Sequence, residues 1–416
     1  MNTHRDPSRA TRGQARSAGS GGARNNRTRP VGSGPSSRPS LRIEWRLGVI
    51  GVLLAVLPLA ARGDVYVANS SSGSVTAYAQ MADGAAVPLR IISGSATGLG
   101  GPNSVALDLE NDEIFVTNQS VPSVTVYPLL ANGDAPPLRT ISGPSTGLVQ
   151  PIAIAVDSVN DEIYVADAGA GVWVFSRIAN GDEPPLRSIE GPSTGLSFPR
   201  MVFLDLVNDE LYVSNFGTAG GVRVFPRTAA GDASPIRSLV GAATAAQPRG
   251  LFVDLAFDEL IVADEGAAAV HAFARTADGN VAPLRTISGP STGLTGPWGV
   301  VLNDRYELLV ADPLASSVTV HPGGSTGDAP PLRTVSGAGT GLSSPRGLAT
   351  TEAAGGAAGF VILVPEPDAA LLAVVALASC AVAGAGRTRF AKAGRLKNPT
   401  DGRRYRFVIF LRSLIC

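Results

Sequence analysis

The chain has 416 residues, enough for one large repeat domain or two ordinary ones, and its abundant glycine, alanine, valine and proline favour short strands and turns over long helices. Basic and acidic residues balance at 34 each, yet residues 1–46 hold ten arginines against Asp6 and Glu44, and residues 387–416 hold nine basic residues against Asp401. The stretch between them carries 15 basic and 31 acidic residues, a charge near −16 that nucleic-acid phosphates would repel, so no nucleic-acid partner is expected.

Residues 1–46 form a basic leader of Arg, Ser, Gly, Pro and Asn that is expected to be disordered, because it has too little apolar surface to offset chain entropy. The run LGVIGVLLAVLPLAA at 47–61 follows Arg42 and Arg46. Its length suits the apolar core of an export signal better than a membrane span of about 20 residues. Small residues at Ala61 and Gly63 offer a cleavage site, so 47–63 reads as a signal peptide and the mature chain is expected to begin near Asp64.

From there a unit of about 48 residues recurs. Six copies of Pro-(Leu/Ile)-Arg place Arg90, Arg139, Arg187, Arg237, Arg285 and Arg333 at intervals of 48 to 50 residues, a period that points to propellers or solenoids. Within 151–198 four short runs alternate apolar and polar residues: 154–157, 162–166, 172–175 and 186–189. Asn-Asp, Ala-Gly and Asn-Gly-Asp turn clusters separate them. Four strands per repeat make one blade of a β-propeller. The first copy lacks its leading strand, while an orphan leading strand, PRGLA, stands at 345–349. Joining it to DVYVAN at 64–69 predicts a sixth blade and a closed ring. The run FVILV at 360–364 competes for the place of 65–68, and the amino-terminal segment is expected to win because it carries the full repeat pattern.

The sequences IYVAD (163–167), VWVF (172–175) and LRSI (186–189) resemble NHL and YVTN-type propeller repeats, and the resemblance covers residues 64–363. It implies an all-β, six-bladed propeller with the first strand of each blade lining a central channel, and no single function, since such propellers include lactonases, lyases and binding scaffolds.

Beyond the repeats, Pro365-Glu366-Pro367 precedes eighteen uncharged, mostly apolar residues at 369–386 and then Arg387, Arg389 and Lys392. This reads as an inner-membrane helix with its basic end in the cytoplasm. Motif, span and basic flank together (364–392) resemble the PEP-CTERM sorting signal, which implies processing by an exosortase in a Gram-negative bacterium. The family's signal usually stops soon after the basic cluster, whereas a basic tail continues here through 393–416.

Several repeated positions can carry chemistry. Asn69, Asn118, Asp167, Asn215, Asp264 and Asp312 end the second strand of each blade. In gluconolactonase-like propellers comparable residues bind a divalent cation, so the resemblance makes Asn118, Asp167, Asn215, Asp264 and Asp312 candidate ligands for Ca²⁺, whose hard charge suits oxygen donors. The simpler expectation is that they accept hydrogen bonds from loop backbone, since all six blades carry the position. Asp108, Asp157, Asp205, Asp254, Asn303 and Thr351 are expected to cap the turn after the first strand, and Glu113, Glu162, Glu210, Glu259 and Glu307 to be solvated turn residues. The repeated arginines are expected to pair across neighbouring blades. Tyr78, Tyr127, Phe175, Phe225, Phe273 and His321 are expected to fill the space between them.

His271 and His321 have no Ser, Cys or second His at a catalytic spacing, no phosphate loop or Cys/His cluster occurs, and residues 64–363 contain no lysine. Cys380 and Cys416 lie outside the repeats, so no disulfide closes the domain. The expected function is therefore an exported, non-enzymatic propeller that binds a carbohydrate or protein on its loop faces, where variation such as 216–221 against 168–171 concentrates. A calcium-dependent lactonase or hydrolase is the alternative.

Overall fold

The computed structural model describes residues 63–351, apart from 170, 218, 219 and 246, and the backbone of the strands Val364–Pro365, Arg389–Lys397 and Arg404–Leu411. Six four-stranded antiparallel sheets follow one another around a ring. The chain is a six-bladed β-propeller. In the blade that contains the repeat at 151–198, the strands are Pro151–Asp157, Glu162–Asp167, Gly171–Ser176 and Arg187–Ile189, ordered from axis to rim.

The ring closes as the repeat count predicts. Pro345–Thr350 pairs antiparallel with Asp64–Asn69, which continues through Ser74–Ala79 to Arg90–Ile92, so the innermost strand comes from the far end of the domain. Closure leaves no blade short of its innermost strand. The competing run at 360–363 lies outside the described residues. Val364 and Pro365 pair with Arg406 and Tyr405, in a separate three-stranded sheet built on the hairpin of Arg389–Lys397 with Arg404–Leu411. Among the described residues no helix is long and apolar enough to cross a membrane, and the span expected at 369–386 lies outside them.

Second strands such as Glu113–Asn118 are buried along their whole length because each blade is covered on both faces by its neighbours, which explains the unbroken apolar run at their centre, Ile114, Phe115 and Val116. The packing between blades is the core. Tyr127, Phe175, Phe225 and Phe273 are at most 1% exposed and fill it as expected, and His321 takes the same place in its blade.

The rim is tied by devices that the copies of Gly-Pro-Ser-Thr-Gly-Leu encode. In the copy at 143–148, the Ser145 amide and hydroxyl donate to the two carboxylate oxygens of Asp182 in the next blade, at 2.6 and 3.0 Å. Gly143 has φ +131°, and a Cβ there would lie 2.4 Å from Asp182 Oδ1, so only glycine lets that carboxylate approach. The same contact joins Ser193 to Asp232 and Ser291 to Asp328. Backbone bridges run from Ile92 to Gly133, Ile141 to Gly181, Ile189 to Gly231, Leu239 to Gly279 and Ile287 to Gly327, and Val335 to Gly84 completes the circle.

The ion pairs depart from the sequence reading. The Pro-(Leu/Ile)-Arg arginines take their carboxylate from their own blade: Arg139 grips Glu113 at 2.7 and 2.8 Å, and Arg237 grips Glu210 at 2.8 and 2.7 Å. They reach the neighbouring blade only through a carbonyl, as Arg285 does to Ser325 at 3.1 Å. The cross-blade pairs belong to Arg177, Arg227 and Arg275, whose Nη1 atoms approach Asp108, Asp157 and Asp205 of the preceding blade at 3.4, 3.3 and 3.6 Å. The glutamates are thus not solvated: Glu113, Glu210 and Glu307 are 7–9% exposed, and each lies under a guanidinium. Where the next such arginine would fall stands Gly323, beside the ring of Tyr306. Buried Asp254 there keeps an Oδ2 without a partner, and burial raises its pKa.

Candidate functional site

The residues that end each second strand act as loop anchors. Asp167 accepts from the amides of Val149, Gln150 and Gly169 at 2.7, 2.9 and 2.8 Å, and Asp312 from those of Thr295, Gly296, Leu314 and Ala315. Asn118 accepts from Gly100 N at 3.0 Å, Asn215 from Ser197 N at 2.5 Å, and Asp264 from Gln247 N at 3.3 Å and Ala267 N at 3.2 Å. A cation at any of them would compete with backbone donors already in place. Among the described residues no three His, Cys, Asp or Glu side chains converge as a metal site. Asp108, Asp157, Asp205, Asp254 and Asn303 of the second ring cap their turns as expected; Asp108 Oδ1, for example, accepts from Glu110 N and Asn111 N at 3.1 Å each. Thr351 instead accepts from the Gly63 and Asp64 amides at the start of the amino-terminal strand, at 2.9 and 3.0 Å.

A different set of residues meets at the axis. Each first strand opens on the repeat's proline, and in five blades its pairing slips just after that proline: between Pro102 and Ser104, Pro151 and Ala153, Pro199 and Met201, Pro248 and Leu251, and opposite Val67 and Asn69 for Pro345–Leu348. A bulge re-aims the side chain it carries, and proline, which has no N–H to contribute, is at home beside one. The residues re-aimed are Asn103, Ile152, Arg200, Arg249 and Arg346; Trp298 holds the same place in the remaining blade. Asn103, Ile152, Arg200, Arg249 and Trp298, each from a different blade, line one cavity of about 10 Å³, room for about one water. Close backbone packing tightens one side of the ring: a Cβ on Gly250 would lie 2.2 Å from Trp298 O, and one on Gly299 2.1 Å from Arg346 O.

This mouth breaks the repeat. Arg249 bonds Glu265, with Nε 2.7 Å from Oε2. Its guanidinium also lies 3.9 Å from the ring centroid of Phe216 and 4.4 Å from that of Trp298. Arg346 stands 4.6 Å from Trp298 and donates from Nη1 to Asn103 Oδ1 at 2.7 Å and Gln119 Oε1 at 3.2 Å. Arg200 has an aromatic neighbour in Phe216, at 5.2 Å, but no hydrogen-bond acceptor or carboxylate among the described residues, and its Nε is buried without a partner. Arg346 Nε is likewise unpartnered. Burial, then the charges of Arg249 and Arg346, push the pKa of Arg200 down to about 10 against a weaker opposing pull from Glu265. Three guanidiniums therefore share one carboxylate, in a body that is otherwise acidic.

The varying position follows a proline that every blade repeats, which is the one sequence signal for this site. Of the variable loop at 216–221, Phe216 belongs to it.

No protein family model matches the chain, and no curated protein does. Among solved structures it is similar to a chain of a nidogen/laminin complex, at 16% identity and TM-score 0.52, over 68% of this chain and 97% of that one. A WD40 β-propeller domain gives 12% identity and TM-score 0.46, over 66% and 80%. The likeness is one of fold alone.

Proposed function

We propose that the chain is an exported, non-enzymatic binding propeller whose carbohydrate or protein ligand docks at the channel mouth formed by Arg200, Arg249, Trp298 and Arg346. The observation that supports the mouth is its departure from the repeat: five blades bulge just after the same proline, and the side chains placed there differ from blade to blade. Binding sites use such convergent polar groups on a rigid scaffold. The address rests on sequence: the apolar run at 47–61 for export, and Pro365, Glu366, Pro367, the span at 369–386, Arg387 and Arg389 for transient membrane anchoring and sorting by an exosortase-type enzyme. Carbohydrate and peptide arrays probed with the wild-type chain and with Trp298→Ala test the mouth. Wild type should give hits that Trp298→Ala loses; empty arrays, or hits that the substitution leaves unchanged, would count against it.

A further inference from the structure

The chemistry of the mouth narrows the ligand, on the reading that the mouth is where ligands dock. Arg249 is already matched by Glu265, and Arg346 spends Nη1 on Asn103 and Gln119. What is left over is donor capacity: all of Arg200 and the buried Nε of Arg346, both without an acceptor among the described residues. An unmatched buried donor is costly, and a second positive charge nearby adds repulsion, so both groups gain from any anion that enters. Trp298 cannot serve as an open platform for a sugar ring, because the guanidiniums of Arg249 and Arg346 lie against it at 4.4 and 4.6 Å. The cavity lined by Asn103, Arg200, Arg249 and Trp298 holds about one water, which admits a single oxygen entering end-on and not a whole ring.

We propose that the mouth captures the oxyanion head of its ligand, a carboxylate or sulfate group that bonds Arg200 and the Nε of Arg346 while the rest of the ligand stays outside the ring. Guanidinium recognises such groups through two parallel N–H donors, and the fork of Arg200 is unoccupied. The net negative charge of the central region repels free polyanions at long range, but screening confines that repulsion to about 8–10 Å at moderate salt, so a short-range match still decides.

Calorimetric titration of the full chain with sodium succinate, sodium sulfate and maltose, at one ionic strength set with sodium chloride, tests this. Succinate and sulfate should bind with roughly millimolar Kd and maltose should not. The stronger of the two salts tells carboxylate-bearing from sulfated sources. Arg200→Gln should weaken the anion at least about tenfold and Arg200→Lys less, with the melting temperature of each variant close to wild type. Absence of binding by both anions, or equal binding by wild type and Arg200→Gln, overturns the inference. Maltose binding that Trp298→Ala abolishes and Arg200→Gln spares would overturn it too, while leaving the mouth as the docking face.

Discussion

The rim and the mouth of this propeller are built from the same strands under opposite rules. At the rim a polar group recurs from blade to blade and meets its partner: Arg139 with Glu113, Arg237 with Glu210, Asp182 with Ser145, Asp232 with Ser193. At the mouth, one position holds Asn, Ile, Arg, Arg, Trp and Arg in turn, and Arg200 meets no acceptor among the described residues. Repetition therefore marks what holds the ring together, and its interruption marks the site proposed above for a ligand. Substitutions at the two places should differ in kind.

The largest loss is expected at the rim. Glu210 lies between Arg237 of its own blade, at 2.7 Å, and Arg275 of the next, at 3.2 Å. Glu210→Ala leaves the Arg237 guanidinium with only the Tyr212 hydroxyl and takes from Arg275 one of its three carboxylates, the others being Asp205 and Asp258; breaking a buried pair this way costs about 3 kcal/mol, read as a lower denaturant midpoint. The same network sets an acid limit. Burial raises the pKa of Glu210 and Glu307, but hydrogen bonds and charge from Arg237 and Arg333 outweigh it and leave both lowered; for Glu162 the bond from Arg187 leads. Lowered folded-state values mean that this stability is fully present above the ordinary glutamate pKa and is lost as pH falls through the folded ones.

A smaller and separable pH effect should come from His321. Burial pushes its pKa down to about 4, from 6.5, and its ring bonds only Thr319, at 3.2 Å, among the described residues. The fold thus holds the neutral ring. Its contribution is intact above pH ~6.5 and declines as pH falls toward 4, by up to about 3 kcal/mol. His321→Phe copies the side chain that three other blades carry at this place, so melting curves should show little change at pH 8 and a clear gain near pH 4. Equal curves at pH 4 would refute the assignment.

Sequence alone made the ring legible because the repeat gives its own register. The Pro-(Leu/Ile)-Arg spacing counted the blades, and the mismatch between the first and last copies foretold the strand pairing of 345–350 with 64–69. The partners of the arginines were hidden because they depend on strand register. Arg187 stands opposite Val174, which stands opposite Tyr164, and this places the guanidinium over Glu162 in its own blade rather than across the gap. The copies of Gly-Pro-Ser-Thr-Gly-Leu were visible, but their partner aspartate lies 37 to 39 residues further on, in another blade. The mouth was hidden for the opposite reason: aligning the repeats treats a position that varies as one that does not matter.

Next in size is Asp167, whose carboxylate holds three loop amides. Asp167→Ala leaves these donors unpaired and should cost about 2 kcal/mol, whereas Asp167→Asn, the residue three other blades use here, should cost less than about 1 kcal/mol. As a backbone anchor the side chain needs no ion, so calcium and chelator should each leave the melting temperature of the wild-type chain where it was. A rise with calcium that Asp167→Asn abolishes would instead make the ring a cation site.

The smallest effect on stability, and the most telling, is expected at Arg200. A partly buried guanidinium with two other guanidiniums beside it and no acceptor in reach among the described residues is a cost to the folded state, compensated in part by the ring of Phe216. Arg200→Ala should therefore leave stability unchanged or raise it by about 1 kcal/mol, measured by chemical denaturation in chloride. The gain should grow as salt is lowered, because like charges repel most when least screened. A residue that the fold would rather be without, set at a position that the fold fixes by a bulge, is what a binding group looks like on a scaffold of repeats. Should Arg200→Ala destabilise the ring as strongly as Glu210→Ala, the contrast between rim and mouth fails, and Arg200 is one more strut.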